Sequence, residues 1–355
     1  MNSPSLDLAR LGWNDGFETG EDGGPKGTLA RVAAVDRDRW LLLDPTGTFR
    51  ASLAGSYRYR HPLPQELPCV GDWVEVEKQP ADDLGLIHRL LERRTALRRR
   101  SAGASADYQV IAANVDCVMV TQSCHYDFNL RRLERYLVMV RDGGAEPCIL
   151  LTKTDLVAPA VLAAQLAEIR AAGIAAPVLT LSNVTQEGLG DLERTLQPAR
   201  TYCFVGSSGV GKSTIINHLT GRDRLQTSEV SGTGEGRHTT VRRELIVLAG
   251  GALVIDNPGM REFGIVGAAD GMDGGFADIA GVAAGCRYRD CSHTGEPGCA
   301  VLEAVNSGTL SPEHHEHYLK LRKESEFYQL SYAEKRKKDR AFGRYKKSAL
   351  RDLDA

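Results

Sequence analysis

A glycine-rich segment, FVGSSGVGKST, has the residue types and the spacing needed to bind a phosphate chain. It runs from Phe204 to Thr214 and contains G-x-x-x-x-G-K-S. Apolar sequence before it predicts a strand, and the sequence after it predicts a helix. In that context the glycines let backbone N–H groups converge on phosphate oxygens, and the helix N-terminus adds positive charge. A chance match in a Gly/Ser-rich turn is the alternative, and the flanking elements argue against it.

This segment, the P-loop, predicts a magnesium-dependent triphosphate site. Lys212 is expected to reach the β- and γ-phosphates, and the Ser213 hydroxyl is expected to bind Mg²⁺. Contacts to the nucleotide are predicted along the whole segment, at Gly206, Ser207, Ser208, Gly209, Val210, Gly211, Lys212, Ser213 and Thr214.

The segment Thr152-Lys-Thr-Asp155 follows an apolar run and has the form of a guanine-recognition motif. Asp155 can accept hydrogen bonds from N1–H and the exocyclic amino group of guanine, and Lys153 can lie across the base. Adenine lacks that donor pair, so a buried aspartate at position 155 would be left uncompensated. Ser182 follows the next strand, where a contact to guanine O6 is expected. Beside a P-loop these residues favour a GTP site over the alternative of a P-loop kinase or ATPase.

A second phosphate motif, Asp256-Asn-Pro-Gly259, ends another predicted strand. Its D-x-x-G form predicts that Asp256 supports Mg²⁺ and that the Gly259 N–H contacts the γ-phosphate. The glycine-rich stretch 232–240 lies between this motif and the P-loop, and Thr239 or Thr240 can complete the Mg²⁺ shell. We interpret the stretch as a switch loop, with a surface linker as the alternative.

The residue after this motif is Met260, where Ras-like GTPases carry a glutamine that orients the attacking water. A thioether cannot donate and accept hydrogen bonds in that way, so slow intrinsic hydrolysis is expected. His238 is the internal candidate for orienting the water, and Arg237 is a candidate for stabilising charge. A surface histidine without a catalytic task is an equal alternative.

The order of these motifs is unusual, because the guanine motifs precede the phosphate motifs in the chain. The same sheet can form by circular permutation, in which the segment that is C-terminal in the usual motif order is joined to the P-loop strand. Asp256 then leads directly toward the C-terminal segment, so loss of the γ-phosphate can be transmitted there.

Three cysteines and a histidine lie within a polar stretch of fourteen residues, and they predict a structural zinc site. The four predicted ligands are Cys286, Cys291, His293 and Cys299. Three further histidines, at 314, 315 and 317, fall in a charged helical stretch and are interpreted as solvated. The tail after Tyr332 is strongly basic, which is typical of a solvated helix end or of an RNA contact.

The N-terminal third has a different texture, with five short strand patterns between residues 27 and 94. They predict a small β-barrel of the OB type or another small barrel. An arginine run at 93–100 follows and is interpreted as a solvated face or a phosphate contact. From about residue 106, strands alternate with helices, which predicts a doubly wound α/β nucleotide-binding domain.

Composition bears on whether the chain is a nucleic-acid-binding, disulfide-rich or membrane-spanning protein. The chain has 355 residues and a net charge of -2, so nucleic-acid binding must come from local patches. Eight cysteines without a secretory signal do not indicate a disulfide framework, and Cys117, Cys148 and Cys203 are expected in the core. No apolar run is long enough to span a membrane. A cytoplasmic monomer is expected.

With these motifs in hand, the chain resembles the circularly permuted GTPases that depend on the small ribosomal subunit, the RsgA type. The carriers are VGDWVEV at 70–76, ANVD at 113–116, TKTD, the P-loop, GEGRHTT, DNPG and C-x4-C-x-H-x5-C. The departures are TKTD, where the family motif often begins with Asn, and DNPG, where DTPG is common. Neither removes a carboxylate.

The resemblance implies GTP hydrolysis stimulated by the small subunit, late maturation of that subunit, and rRNA contacts from the barrel and the zinc domain. It suggests a flexible tail at 1–24, an OB-fold-like RNA-binding barrel at 25–100, a circularly permuted P-loop GTPase domain at 101–268 and a zinc-knuckle helical domain with a basic tail at 269–355. The rival hypothesis is a non-catalytic RNA-binding scaffold in which GTP binding is structural or regulatory.

Overall fold

The computed structural model describes residues 7–14, 17, 27–36, 38–79, 84–100, 108–221, 243–256, 272 and 275–329. Several sequence predictions fall outside these residues, namely those for Arg237, His238, Thr239, Thr240, Gly259, Met260, the basic tail and most of the 1–24 tail. Among the described residues, none of the helices combines the length and the apolar character that a bilayer crossing requires.

The N-terminal strands close into a five-stranded barrel, as predicted. The strands are β1 (Thr28–Asp36), β2 (Arg39–Asp44), β3 (Gly47–Leu53), β4 (Trp73–Gln79) and β5 (Leu84–Leu90), and a short helix α1 (Gly55–Arg60) follows β3. Their order is β1-β2-β3-β5-β4, and β4 pairs back to β1. Only the β3–β5 pair among these is parallel. Alternate side chains such as Val32, Leu42 and Val76 fill the barrel and are fully buried.

A second small sheet joins the barrel to the next domain. It consists of β6 (Ala96–Arg100) and β7 (Tyr108–Ala113), which pair antiparallel across the predicted boundary at residue 100. The interpretation of the preceding arginines as solvated or phosphate-binding is wrong for Arg93. Its guanidinium makes two 2.8 Å hydrogen bonds to the buried carboxylate of Asp72, and it also donates to the carbonyls of Gln65 and Leu67.

The central domain is a largely parallel sheet. Its strands are β8 (Cys117–Ser123), β9 (Glu146–Thr152), β10 (Val178–Thr180), β11 (Thr201–Val205), β12 (Glu244–Val247) and β13 (Leu253–Asp256). Their order is β10-β9-β8-β11-β13-β12, with only β12 antiparallel to its neighbour in the domain. The helices are α2 (Leu130–Asp142), α3 (Pro159–Ala171), α4 (Leu189–Thr195) and α5 (Lys212–Thr220). The predicted α/β fold is confirmed, and β11 lies at its centre.

The barrel and the central sheet are continuous, because Ala34 of β1 pairs with Glu244 of β12. Arg31 fastens the same junction. Its buried guanidinium donates to the carbonyls of Gly71 (3.2 Å), Asn114 (2.9 Å) and Leu11. Burial lowers its pKa to about 10. Gly71 has φ +92° and a Cβ there would lie 2.1 Å from the Ala113 carbonyl oxygen, so only glycine allows this approach.

The C-terminal domain is helical. It contains α6 (Ala277–Ala283), α7 (Ala300–Asn306) and α8 (Pro312–Gln329), and the cysteine-rich segment lies between α6 and α7. Tyr318 and Leu321 of α8 are buried in the same core cluster as Leu133 and Leu137 of α2. The C-terminal domain therefore packs on the central domain through the α2–α8 contact.

Candidate nucleotide site and metal cluster

The P-loop follows β11 at the carboxyl edge of the sheet, and its shape depends on glycine. Gly206 has φ +145°, and a Cβ there would lie 2.0 Å from the Thr121 carbonyl oxygen. Gly211 has φ +99° and caps α5. Ser208, Gly209, Ser213 and Thr214 are exposed, while Ile215 and Ile216 anchor α5 in the core. Those four residues are therefore accessible to a ligand, whereas Gly206 and Val210 are buried.

Lys212 lies against the loop that it follows. Its Nζ donates to the carbonyl oxygens of Gly206 (2.8 Å) and Ser207 (2.6 Å). Burial lowers its pKa to about 8, and the carboxylates of Asp256 and Asp127 oppose that shift. The Asp127 carboxylate, in the loop after β8, was not foreseen, because no motif marks it in the sequence. An ammonium held by neutral carbonyls would gain a stronger acceptor in a phosphate oxygen.

Asp256 ends β13, the parallel neighbour of the P-loop strand. Its side chain is buried, and burial raises its pKa to about 6; Lys212 lowers it and Glu244 adds to the rise. A buried carboxylate beside one desolvated ammonium gains from an additional cation. Together with the exposed Ser213 hydroxyl it provides the oxygen donors that Mg²⁺ prefers. The residues present therefore fit a magnesium ion.

The two predicted guanine loops meet. Ser182 is buried, and its hydroxyl donates to an Asp155 carboxylate oxygen at 2.5 Å. The same oxygen of Ser182 accepts from the backbone N–H groups of Val184 and Thr185, each at 3.1 Å. Lys153 has the left-handed φ of +58°, which turns the chain sharply before Asp155. The expectation that Asp155 is buried is wrong, because its place in the loop at the sheet edge leaves it exposed. This arrangement fixes a carboxylate at the sheet edge with its remaining acceptor positions available.

Thr152 lies behind this site. It is fully buried, and its hydroxyl contacts the carbonyl oxygens of Val210 (2.7 Å) and Gln122 (3.2 Å). Its side chain therefore ties the guanine loop to the P-loop. Asn183 makes a second bridge, with Nδ2 3.5 Å from the Gly211 carbonyl oxygen. Within the described residues its buried Oδ1 has no hydrogen-bond partner. Sequence reasoning selected Ser182 and passed over this neighbour.

The four predicted zinc ligands converge. Their ligand atoms lie within 4.8 Å of one another. His293 Nδ1 is 3.4 Å from Cys299 Sγ and 3.6 Å from Cys286 Sγ, and the two sulfurs are 4.0 Å apart. A tetrahedral zinc ion requires about 3.8 Å between sulfurs and about 3.6 Å between sulfur and nitrogen. The cluster can thus hold one zinc ion, with no open position for catalysis.

Neighbouring groups fix the shape of this cluster. Cys299 is also the N-cap of α7, where its Sγ accepts from the Leu302 N–H. His315 Nε2 lies 3.0 Å from the His293 carbonyl oxygen. Glu296 accepts hydrogen bonds from the Ser292 hydroxyl and from the Ser292 backbone N–H, and these bonds hold the pKa of its carboxyl below the usual range. The ligands are held by surrounding bonds in the way that structural metal sites require.

The interpretation of the three α8 histidines as solvated is wrong. His315 is buried, and the side chains of His314 and His317 are each 10% exposed. His314 lies 2.8 Å and His317 2.7 Å from the Glu134 carboxylate on α2, which is itself buried. His314 also lies 3.1 Å from Asp278. The α2–α8 contact is therefore an ion-pair network, and the sequence had no local signal for it because its members lie far apart in the chain.

Comparisons with known proteins agree with this architecture. The sequence model of the RsgA GTPase family matches residues 90–266. The small ribosomal subunit biogenesis GTPase RsgA 2 of Listeria monocytogenes serotype 4b (strain F2365) is 42% identical over 302 residues, covering 85% of this chain and 84% of the relative. The small ribosomal subunit biogenesis GTPase RsgA of Opitutus terrae (strain DSM 11246 / JCM 15787 / PB90-1) is 41% identical over 338 residues, covering 91% and 90%.

Two solved structures share the fold. YjeQ from Thermotoga maritima has a TM-score of 0.62 at 23% identity, covering 84% of this chain and 98% of that one. YloQ, a circularly permuted GTPase, has a TM-score of 0.60 at 26% identity, covering 86% and 96%. Each of the two likenesses therefore covers most of this chain.

Proposed function

The chain belongs to the RsgA GTPase family, and from that premise we propose that it hydrolyses GTP in the biogenesis of the small ribosomal subunit. The observation that carries the proposal is a single sheet edge at which the P-loop, the Asp155–Ser182 pair and buried Asp256 meet. A phosphate cradle without Asp155 would accept any nucleoside triphosphate. With it, guanine is the base that fits.

The site residues divide the work between base and phosphates. Asp155 accepts hydrogen bonds from the guanine edge, and Ser182 orients its carboxylate. The P-loop amides and Lys212 surround the phosphates. Ser213, Asp256 and Thr239 or Thr240 would hold Mg²⁺, and the Gly259 N–H would contact the γ-phosphate. When bound, the metal neutralises charge that develops on the phosphate oxygens.

Hydrolysis itself is proposed to be slow until the small subunit binds, because Met260 cannot orient water. His238 is proposed to position the attacking water and Arg237 to stabilise charge. If His238→Ala leaves subunit-stimulated turnover unchanged, this assignment fails and the group must come from the partner.

The flanking domains are proposed to contact rRNA. The barrel offers an OB-type surface, and the C-terminal domain carries the zinc cluster, which is proposed to be structural. Since the chain leads from Asp256 toward the C-terminal domain, the state of the γ-phosphate is proposed to control subunit affinity. We place the protein in the cytoplasm as a monomer that binds the subunit with GTP and leaves after hydrolysis.

Co-sedimentation with purified small subunits tests this function. The protein is expected to pellet with subunits when loaded with a non-hydrolysable GTP analogue and to remain largely free with GDP. Equal binding in both states would favour the scaffold hypothesis, in which nucleotide only stabilises the fold. Equal competition by ATP and GTP would contradict the guanine assignment.

A further inference from the structure

A basic groove lies along the seam between α2 of the central domain and α8 of the C-terminal domain. Four of its lining side chains are permanently cationic, and the cavity encloses about 260 Å³. They are Arg131, Arg132 and Arg135 from α2 and Lys320 from α8. Glu316 contributes one carboxylate to the lining. Glu316 and the carboxylates of Asp127 and Glu324, which pair with Arg132 and Arg135, offset most of this positive charge.

Helical spacing and salt bridges arrange these cations before any ligand arrives. Arg131 and Arg135 are four residues apart and share one face of α2. The Arg132 guanidinium lies 2.7 Å from the Asp127 carboxylate, and Arg135 pairs with Glu324 across the seam. Arg131 and Lys320 are exposed. Arg132 and Arg135 therefore border the groove with their charges already paired, and the exposed Arg131 and Lys320 are the cations that face a ligand.

The floor of the groove is the contact between the two domains. His317 lines the cavity and lies 2.7 Å from the buried Glu134 carboxylate. Leu321, also in the lining, is buried in the core beneath. The groove is thus built on a packed interface and keeps its shape.

We propose that this groove binds backbone phosphates of RNA. Guanidinium groups bind phosphate oxygens through paired hydrogen bonds, and clustered cations are the electrostatic footprint of a nucleic-acid contact. The chain's own tail after Tyr332 is strongly basic, so like charge disfavours it as the occupant. The proposal rests on the proposed function, which supplies an RNA-rich partner. It adds a contact that neither the barrel nor the zinc cluster provides.

An RNA strand in the groove would contact both domains at once. Arg131 belongs to the GTPase domain and Lys320 to the C-terminal domain, so one bound backbone would stabilise their packing. A ligand that binds only the packed arrangement shifts the equilibrium toward it. The groove would then link subunit binding to the relative placement of the two domains.

The test uses a pair of variants with the same change in charge. The double variant Arg131→Ala/Lys320→Ala removes two exposed cations from the groove. The control Arg170→Ala/Arg194→Ala removes two exposed arginines from α3 and α4. Thermal unfolding checks that both are folded. Affinity for purified small subunits, and for a short A-form RNA duplex, is then measured over a series of KCl concentrations.

The groove variant is expected to lose about tenfold in affinity per phosphate contact, hence about a hundredfold for two. The slope of log K against log salt should fall by about one for each lost contact. The control should stay within about twofold of the wild type, since its cations lie outside the groove. Unchanged affinity, an equal loss in the control, or a loss with an unchanged salt slope would overturn the proposal.

A small-anion arm separates RNA from free phosphate. If inorganic phosphate at millimolar concentration binds the groove while the variants leave RNA affinity intact, the groove is a small-anion site and the proposal is wrong. The duplex arm also separates this proposal from the proposed function. If the wild-type protein does not bind small subunits, the proposed function is contradicted. The groove proposal is decided separately, by whether the groove variant loses affinity for the RNA duplex.

Discussion

At the scale of single residues, we propose that the choice of base depends on one carboxylate. Asp155 is exposed at the sheet edge and is held by the buried Ser182 hydroxyl at 2.5 Å. Thr152 and Asn183 join the loop that carries it to the P-loop. The loops proposed to bind the base and the phosphates are therefore joined by hydrogen bonds. Replacing one oxygen of the Asp155 carboxylate should change which nucleotide binds.

Asp155→Asn is expected to weaken GTP binding by about a hundredfold or more, because two hydrogen bonds to an ionised acceptor are lost. The amide can instead donate to the 2-oxo group of xanthine, so affinity for XTP should rise. Fluorescent-nucleotide titration measures both. Asp191→Asn, an exposed acid on α4, is the matched control. GTP affinity that remained at the wild-type level in Asp155→Asn would show that the carboxylate does not contact the base.

The buried Lys212–Asp256 pair predicts a pH window for nucleotide binding. Asp256 has a pKa of about 6, so its carboxylate becomes protonated and loses its attraction for Mg²⁺ as pH falls through 6. Lys212 has a pKa of about 8, so its ammonium loses its charge as pH rises through 8. Affinity for Mg-GDP should therefore peak between these values.

Asp256→Asn serves as the control for this window, because the titration of the nucleotide itself is common to both proteins. In the variant, binding should be weaker, and the part of the acid limb due to Asp256 should disappear. A profile of the wild type that is flat from pH 5 to pH 9 would contradict the assignment of these two groups to the site.

At the scale of elements, the local patterns were predictable and the long-range contacts were not. The strand–loop–helix of the P-loop and the barrel strands were predictable from hydrophobic patterns within short windows. The Cys₃His cluster was predictable from the spacing of its four ligands. Strands β6 and β7 were missed because arginines fill β6 and hid its pairing. The roles of Arg93 and His314 depend on Asp72, Glu134 and Asp278, which no sequence window brings near them.

The Glu134 network predicts a pH-dependent seam. Ion pairs with Glu134 and Asp278 outweigh burial and raise the pKa of His314 to about 9. The raised pKa of His314 stabilises the folded protein fully below about pH 6.5, and this stabilisation is lost as the pH rises through about 9. The pKa values of Glu134 and Asp278 are lowered, so their contribution is present above their ordinary values and is lost in acid. The seam should therefore be weaker at pH 9.5 than at pH 6.

Glu134→Gln should cost about 3 kcal/mol at pH 6, because it removes one of the two carboxylates that face His314 and leaves that partly buried imidazolium with Asp278 alone. Much of the difference between pH 6 and pH 9.5 should also disappear. Urea unfolding followed by circular dichroism measures both. Glu326→Gln, which removes a partly exposed i,i+4 pair with Arg322, should cost less than about 0.5 kcal/mol. Equal effects of the two variants would contradict a buried network.

The metal cluster predicts that zinc stabilises the folded C-terminal domain and takes no direct part in GTP binding or hydrolysis. Cys291→Ser removes one thiolate, and we expect bound zinc to fall well below one per chain and α7 to lose protection from hydrogen exchange. GTP affinity should change little, because the cluster is not part of the nucleotide site. Metal analysis and exchange mass spectrometry measure the two quantities. Full zinc content in the variant would remove Cys291 from the ligand set.

At the scale of the whole molecule, buried polar contacts and strand pairing join the three domains within the described residues. Arg31 and the Ala34–Glu244 pairing fasten the barrel to the sheet, and the Glu134 network fastens the C-terminal domain to α2. The nucleotide loops lie at the carboxyl edge of that sheet. A partner that contacts both the barrel and the C-terminal domain would therefore be connected to the nucleotide loops through these contacts between domains.

The central claim is a GTPase whose chemistry is controlled by the small ribosomal subunit. Single-turnover hydrolysis of GTP, measured with and without purified small subunits, tests it most directly. We predict slow turnover by the protein alone and an acceleration of at least about tenfold when subunits are added, which corresponds to a lowering of the activation barrier by about 1.4 kcal/mol. ATP should not substitute. A hydrolysis rate that is the same with and without subunits would contradict the account.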